Sequence, residues 1–153
     1  MLALRPMTEE EFEQFKGPNM EDYAQERARN FDTPIEQERA IAADQYARFL
    51  KDGIHTAGQR LWVVTDETGV VVGHLWVGIE DAEHMAFIYF IGINADQRGK
   101  GYGAQTLDLL EEAMRPLGIQ QIGLNVFSDN AVAQRLYARQ GYRITNYSML
   151  KQI

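Results

Sequence analysis

Apolar residues recur at helical spacing over most of the first third of the chain, after a short N-terminal stretch in which apolar and other residues alternate. Residues 2–5 alternate as in a strand, and Thr8 and Glu11 have the spacing of a capping box, which predicts a helix start. The Gly-Pro pair at residues 17–18 predicts the end of that helix, because proline breaks a helix interior. Asn19 then predicts the cap of a second helix.

A further helix is predicted from Thr33 onwards. Thr33, Pro34 and Glu36 are the residue types preferred at a helix cap and at the first and third helical positions. Apolar and aromatic residues follow at helical spacing until Gly53, which favours a helix end. The first third of the chain is therefore predicted to be mostly helical.

The pattern changes at residue 61, where strand-length apolar runs replace the helical spacing. Residues 61–65 and 70–79 flank a short polar turn and predict an antiparallel hairpin. Residues 85–93 form a nearly continuous apolar run, which predicts a strand that is buried on both faces.

The last third alternates helices with strands. We predict a helix over residues 101–115, a strand over 121–127, a helix over 130–140 and a last strand over 142–150. Strands joined first by hairpins and then through helices imply an α/β fold. The predicted architecture is one domain over residues 1–153, with a mixed, partly antiparallel central sheet and flanking helices.

The composition excludes several classes of protein. The chain of 153 residues is 45% hydrophobic, enough for a core without disulfides or metal staples. It has no cysteine, so thiolate metal sites and cysteine nucleophiles are absent. The net charge is −7, which argues against nucleic acid as a partner. No apolar run is long enough for a membrane span and no signal-peptide pattern is present, so we expect a cytoplasmic protein without a membrane partner.

The clearest chemistry lies in residues 97–104, which read Gln-Arg-Gly-Lys-Gly-Tyr-Gly-Ala between a buried strand and an amphipathic helix. Glycines at alternate positions let the backbone come close to a ligand, and the start of the following helix suits a phosphate. Arg98 and Lys100 add positive charge to an acidic chain. The alternative interpretation is a glycine-bearing turn with two solvated cations.

Two common phosphate-binding patterns fit this loop poorly. The spacing of a Walker A loop is absent. The pattern Gly-x-Gly-x-x-Ala is present from Gly99 to Ala104, but a dinucleotide site also requires an acidic residue about 20 positions later, and residues 118–128 contain none. A third pattern, Arg-x-x-Gly-x-Gly, is matched by Arg98, Gly101 and Gly103.

A second segment, residues 130–142, reads Asn-Ala-Val-Ala-Gln-Arg-Leu-Tyr-Ala-Arg-Gln-Gly-Tyr. With the loop before it, this segment resembles the GNAT superfamily of acyl-CoA-dependent N-acyltransferases, which carries Asn-x-x-Ala-x-x-Leu-Tyr-x-x-x-Gly-Phe/Tyr at the same separation. The resemblance is close over residues 61–153, and over residues 1–60 it rests on the order strand, helix, helix. It implies a GNAT-like fold and direct transfer of an acetyl group from acetyl-CoA to a primary amine.

The resemblance also implies where the co-substrate acetyl-CoA binds. The backbone of the strand before the loop would pair with its pantetheine arm through Ile91, Gly92 and Ile93. Asn130 would bond to the same arm, in addition to capping its helix. The pyrophosphate would lie on the backbone amides of the loop, which are those of Arg98, Gly99, Lys100, Gly101, Tyr102, Gly103 and Ala104.

Tyr137 is the predicted catalytic residue. A tyrosine is almost fully protonated at pH 7, so it can donate its proton to the thiolate that leaves during acyl transfer. The alternative is a packed aromatic residue, because Tyr137 shares a helix face with Ala133 and Leu136.

No general base is evident. The strand positions where relatives carry a glutamate fall within the uncharged residues 87–90 and at Asn125. Tyr89 is expected to be a core or pocket aromatic. The nearby candidates for the base are Glu80, Glu83, His84 and His74.

The helices within residues 8–52 are expected to form part of the acceptor wall, with Tyr23, Phe31 and Tyr46 as lining candidates. We expect a small-molecule or peptide amine as the acceptor, and a homodimer, which is common among relatives. The three histidines lack metal-ligand spacing, so no metal site is predicted. The alternative function is a non-catalytic acyl-CoA-binding sensor or interaction module.

Overall fold

The computed structural model describes residues 1–153 as five strands and four α-helices, joined by turns and short 3-10 segments. In chain order they are β1 (Ala3–Pro6), α1 (Glu9–Phe31), α2 (Ile35–Phe49), β2 (Gln59–Thr65), β3 (Val71–Glu80), β4 (Met85–Ile93), α3 (Tyr102–Met114), β5 (Gln121–Leu124) and α4 (Ala131–Arg139). None of the helices combines the length and the hydrophobicity needed to cross a bilayer.

The five strands form one sheet in the order β1-β2-β3-β4-β5. The first four strands are antiparallel neighbours, whereas β4 and β5 are parallel. A parallel pair needs a crossover connection, and α3 supplies it. The predicted mixed, partly antiparallel sheet with flanking helices is therefore confirmed.

The hydrophobic core occupies both faces of the sheet. Helices α1 and α2 cover one face, where the buried residues include Phe12, Phe15, Tyr46, Leu50 and Trp76. Helix α3 covers the other face, where the buried residues include Leu75, Val77, Leu107, Leu110 and Met114. The two helix layers therefore enclose the sheet, whose middle strand is β3.

The start of α1 has the predicted capping box. The hydroxyl of Thr8 accepts from the amide of Glu11 at 3.1 Å, and the carboxylate of Glu11 accepts from the amide of Thr8 at 2.9 Å. Hydrogen bonds from Arg5, opposed by partial burial and assisted by Thr8, lower the pKa of Glu11 to about 2. This carboxylate therefore ties β1 to the first turn of α1.

The predicted break of the first helix at residues 17–18 is wrong, because α1 is continuous. Pro18 lies inside it, although a proline in a helix interior generally costs about 3 kcal/mol. Asn19, predicted as a cap, is instead buried and accepts a hydrogen bond from the hydroxyl of Tyr46. Burial of one helix face on both sides of Pro18 outweighs the local signal for a break.

The start of α2 also differs from the prediction. The helix begins at Ile35, and Pro34 occupies the cap position without a side-chain bond. The hydroxyl of Thr33, the predicted cap, donates to Glu38 at 2.7 Å. Glu38 is buried and pairs with Arg27 of α1. Because a buried carboxylate without hydrogen bonds is costly, the hydroxyl of Thr33 bonds to Glu38 and does not cap the helix.

The end of the chain departs most from the prediction. Residues 143–153 form no strand, and β5 ends at Leu124 instead of continuing to residue 127. A strand requires a neighbouring strand for its backbone hydrogen bonds, and no strand of this chain pairs with the segment. The predicted bounds of β4 are confirmed, but only Ala86 and Ile88 in it are buried, because β5 covers only its first half.

Candidate active site

An opening between β4 and β5 is the central feature of the site. The two strands pair from Met85 opposite Gln121 to Ile88 opposite Leu124, where β5 ends. Strand β4 continues to Ile93 with no strand partner on that edge. An extended ligand can therefore add to β4 as a peptide strand would.

The three residues predicted to bind the pantetheine arm lie on this unpaired stretch of β4. Ile91, Gly92 and Ile93 pair on their other edge with β3. Their side chains are half-buried, and the ring of Phe90 fills the space where a side chain on Gly92 would lie. The free backbone edge is therefore supported from one side by the sheet and open on the other.

A β-bulge marks the start of the opening. Trp76 lies opposite Phe90 and Val77 lies opposite Ile88, so Tyr89 has no opposite residue on β3. Bulges redirect backbone groups and are frequent beside active sites. The ring of Tyr89 stacks on Trp76 at 4.8 Å, and burial raises the pKa of its phenol, as expected for a pocket aromatic.

The loop after β4 exposes backbone amides at the N-terminus of α3. Gly99 and Gly101 have φ values of 79° and 78°, and a side chain at either position would meet no atom within 4 Å. The amides of Gly101, Tyr102, Gly103 and Ala104 donate to no other atom of the chain. Free amides at the positive end of a helix dipole bind anions, so this loop suits a phosphate group.

The two cations of the loop form no ion pair with a carboxylate. The Nε atom of Arg98 donates to the carbonyl of Ile93 at 3.0 Å, and the ammonium of Lys100 donates to the side chain of Gln97 at 2.9 Å. The same ammonium lies 5.8 Å from the centroid of the Tyr102 ring. Their positive charge therefore stays available to an anionic ligand.

Gly103 allows close helix packing as well as an open loop. A Cβ atom on Gly103 would lie 3.1 Å from the side chain of Leu136 on α4, which is tighter than an ordinary contact. The small residue thus lets α3 and α4 approach each other. This contact helps to set the position of α4, which carries Tyr137.

Asn130 and Tyr137 lie near the two ends of α4. The Oδ1 atom of Asn130 accepts from the amide of Ala133 at 3.2 Å, which confirms the predicted cap, and the side-chain NH2 has no partner. The ring of Tyr137 packs edge-on against Tyr142 at 5.6 Å. Burial raises the pKa of Tyr137 and the charge of Glu26 adds to this effect, so the phenol holds its proton at neutral pH.

Helix α1 runs across the sheet from β4 to the segment that follows β5. Near its start, Phe15 packs on β4, and near its end Tyr23 and Phe31 contact Phe127 at 6.4 and 5.9 Å between ring centroids. Two of the three predicted acceptor-wall residues therefore lie beside the opening. The third prediction is wrong, because Tyr46 is buried in the core.

Glu26 of α1 is a site residue that the sequence reasoning missed. It lies one helical turn after Tyr23 and one turn before Asn30. The side-chain amide of Asn30 donates to Asp129, in the segment after β5, at 3.2 Å. No donor bonds to the carboxylate of Glu26. Burial raises the pKa of Glu26, with Arg29 opposing and Asp129 adding to the rise. The only signal in the sequence is its helical spacing from Tyr23.

Three of the four predicted base candidates lie away from the opening, whereas His74 lies opposite Gly92 in the sheet. Glu83 and His84 are exposed in the turn before β4, and Glu80 is exposed at the end of β3, so all three lie at the end of β4 away from the phosphate loop. His74 is half-buried with its ring stacked on Phe15 at 5.3 Å, and burial lowers its pKa. It lines a cleft of about 460 Å³ between α1 and the sheet.

The free strand edge, the loop of amides and the half-buried tyrosine suit an extended, phosphate-bearing ligand. The chain matches the acetyltransferase (GNAT) family over residues 9–142 and belongs to that family. It is 34% identical over 154 residues to the N-acetyltransferase YdgE of Bacillus subtilis, across 99% of this chain and 98% of that protein. The protein is thus an acetyltransferase by family.

Solved structures of acetyltransferases share this fold. The crystal structure of the acetyltransferase YycN of Bacillus subtilis superimposes with a TM-score of 0.94 at 31% identity, over 100% of this chain and 99% of that one. A spermidine N-acetyltransferase of Vibrio cholerae, solved with CoA and spermine, has a TM-score of 0.65 at 20% identity, over 92% of this chain and 79% of that one. The predicted GNAT-like fold is therefore confirmed.

Proposed function

We propose that this protein transfers an acetyl group from acetyl-CoA directly to a primary amine, as a single domain over residues 1–153 in the cytoplasm. The observation that carries the proposal is the unpaired edge of β4, which ends at a loop of free amides. An acyl-CoA matches this shape, because its extended, amide-bearing arm ends in a pyrophosphate. The chain has no cysteine that could hold the acyl group on the way.

The residues around the opening fit acetyl-CoA. The backbone of Ile91, Gly92 and Ile93 would bind the arm, and the free side-chain NH2 of Asn130 would donate to it. The amides and cations of residues 98–104 would hold the pyrophosphate. Acetyl-CoA supplies an activated thioester, and a backbone amide of β4 beside the bulge would polarise its carbonyl.

Tyr137 acts as the general acid in this proposal. The amine nitrogen forms a bond to the acyl carbon, the bond from carbon to sulfur breaks, and the phenol of Tyr137 gives its proton to the leaving sulfur. The raised pKa of Tyr137 keeps the proton in place until the thiolate forms. The half-buried ring packs against the α3 side of the core and against Tyr142, which restricts its orientation.

Glu26 takes the proton from the acceptor amine. An alkylamine is neutral only about one part in 2,500 at pH 7, so a nearby proton acceptor is needed. Burial raises the pKa of Glu26 and makes it a stronger base than an exposed carboxylate, and no bond blocks its oxygens. Glu26 gains one proton while Tyr137 loses one, so the charge of the site is unchanged over the reaction, and proton exchange with solvent then returns both residues to their starting states.

The acidic surroundings of Glu26 favour a cationic acceptor. Asp22 and Asp129 both act on the pKa of Glu26 and therefore lie near it. An ammonium group is attracted to such a surface before it loses its proton. The relative from Vibrio cholerae was solved with spermine, so polyamines belong among the acceptors to be tested.

The test is acetyl transfer to a panel of amino acids, polyamines, aminoglycosides and peptides, followed by mass spectrometry, with acetyl-CoA affinity measured by calorimetry. We expect a singly acetylated amine, and Lys100→Glu should weaken acetyl-CoA binding at least about tenfold by reversing a charge beside the pyrophosphate. The matched control is Arg60→Glu on the exposed side of β2, which should leave the affinity unchanged. Binding of acetyl-CoA without transfer to any amine would instead identify an acyl-CoA-binding sensor.

A further inference from the structure

The cleft between α1 and the sheet has a volume of about 460 Å³. Its walls come from the first two-thirds of α1, from β3 and from the end of β4. The rings of Phe15 and Phe90 meet in it at 5.5 Å between centroids. Phe90 belongs to the stretch of β4 that β5 leaves unpaired, so the cleft adjoins the opening. It can therefore hold a part of the acceptor that does not react.

The side chains of this cleft carry negative but no positive charge. None of its ten lining residues is a lysine or an arginine, and two are acidic, Glu11 and Asp22. Both oxygens of Glu11 accept from the guanidinium of Arg5, at 2.9 Å each. Asp22 forms an ion pair with no cation. The free charge of the cleft is therefore that of Asp22, which attracts an ammonium group and repels a carboxylate.

Pro18 adds a free backbone acceptor to the same cleft. It lies inside α1 and has no N–H, so it cannot donate to the carbonyl of Gln14 one turn earlier. Both residues line the cleft, and a carbonyl left free in this way can accept from an ammonium group of a ligand there. The proline that does not end α1 thus gives the cleft a second group that favours a cation.

Two further polar side chains of the cleft have groups without partners. Asn19 is only 7% exposed, and its oxygen accepts from Tyr46 while its NH2 donates to no atom of the chain. The ring of half-buried His74 stacks on Phe15, and its nitrogens bond to no other group. Polar groups in such places usually have partners, and these remain accessible in the free protein. The cleft therefore suits a polar ligand.

We propose that this cleft binds a second ammonium group of the acceptor, so that the acceptors are linear diamines and polyamines. The inference rests on the proposed function, in which Glu26 takes the proton from the reacting amine. Asp22 lies one turn before Glu26 on α1, and the axial rise between them is about 6 Å, which about four methylene groups span. Asp22 binds the second ammonium group, and the carbonyl of Gln14 receives the next amine of a longer chain.

The test compares three amines that carry the same alkyl chain and differ only at its far end. Putrescine ends in an ammonium group, pentylamine in a methyl group and δ-aminovalerate in a carboxylate. Acetyl transfer from acetyl-CoA gives kcat/KM for each amine. Putrescine should exceed pentylamine at least about fivefold, because it gains a hydrogen bond to a charged group. The value for δ-aminovalerate should be lower than that for pentylamine, because its carboxylate is repelled.

Asp22→Asn removes the charge of the cleft and keeps the size of the side chain. It should lower kcat/KM for putrescine at least about fivefold more than kcat/KM for pentylamine. The matched control is Glu13→Gln, an exposed position on the opposite side of α1, which should keep the preference for putrescine. Equal kcat/KM for putrescine and pentylamine in the wild type, or a preference that survives in Asp22→Asn, overturns the proposal.

Binding to the cleft is measured separately from acetyl transfer. Calorimetry of the full chain with CoA, which has no acetyl group to give, should show putrescine binding at least about fivefold more tightly than pentylamine, and Asp22→Asn should remove this difference. That result without acetylation of any amine would contradict the proposed function and support the cleft assignment. Equal affinities for the two amines, or no binding of putrescine, would overturn the cleft assignment even if amines are acetylated.

Discussion

Tyr137 and Glu26, the proposed acid and base, lie on helices that are far apart in the chain. Tyr137 lies on α4 and Glu26 on α1, yet the charge of Glu26 raises the pKa of the Tyr137 phenol. Burial raises both pKa values, which makes the tyrosine a secure proton donor and the glutamate a better proton acceptor. The shifts of both pKa values are those that the proposed acid and base require.

Tyr137→Phe should lower kcat by about a hundredfold, because the leaving thiolate loses its proton donor while the ring packing stays. The affinity for acetyl-CoA, measured by calorimetry, should change little. The matched control is Tyr142→Phe, which removes a hydroxyl from the ring packed against Tyr137 and should retain kcat. Equal kcat values for Tyr137→Phe and the wild type would refute the acid role.

Glu26→Gln should lower kcat/KM by about a hundredfold at neutral pH and should change its pH dependence. In the wild type, kcat/KM should rise with pH as Glu26 loses its proton, at a pKa above the ordinary 4.5 of a glutamate. The variant should lack this limb of the profile. Glu13→Gln, an exposed position on the same helix, is the control and should keep the wild-type profile. An unchanged acid limb in Glu26→Gln would remove Glu26 from the mechanism.

At the scale of elements, one long helix links the parts of the site. Helix α1 is anchored to β1 at its start, to α2 through Arg27 and Glu38, and to the segment after β5 at its end. Glu38 is buried, which opposes its ionisation, but bonds from Arg27 and Thr33 outweigh this and lower its pKa. The position of α1, which carries Glu26, therefore depends in part on a buried ion pair.

Glu38→Ala should reduce the free energy of unfolding by about 3 kcal/mol, because it leaves the guanidinium of Arg27 without its partner in a largely buried place. Urea unfolding at neutral pH measures the loss. Glu36→Ala, in an exposed pair with Arg39 on the same helix, is the control and should change the free energy by less than about 1 kcal/mol. A loss as small as that of the control would show that the buried pair does not hold the two helices together.

At the scale of the whole molecule, the charges divide between the two substrates. The net charge is −7, yet the phosphate loop presents two cations without carboxylate partners, Arg98 and Lys100. The α1 side of the opening carries Glu26 with Asp22 and Asp129 near it. In the proposed function, a negatively charged co-substrate and a positively charged acceptor would be attracted to different ends of one opening.

Most elements were predictable because their signals are local. Examples are the apolar run of β4, the capping box of Thr8 and the apolar spacing along α3 and α4. Each of these signals involves residues that are close in sequence, and the structure confirms the elements they predict. The continuity of α1 through Pro18 was not predictable, because it depends on burial against the sheet. The unpaired end of the chain was not predictable for the same kind of reason, since pairing requires a neighbour that the pattern does not reveal.

The sequence by itself determined the class of protein. The backbone amides of one short loop come from residues 98–104, and the asparagine and the tyrosine come from one helical segment, residues 130–142. The spacing within each segment is visible in the sequence. Only the tertiary structure decided that β5 parts from β4 after Leu124 and that Glu26 of α1 lies near Tyr137. The physical reason is that backbone geometry sets contacts within a turn, whereas contacts between distant segments depend on how whole faces pack.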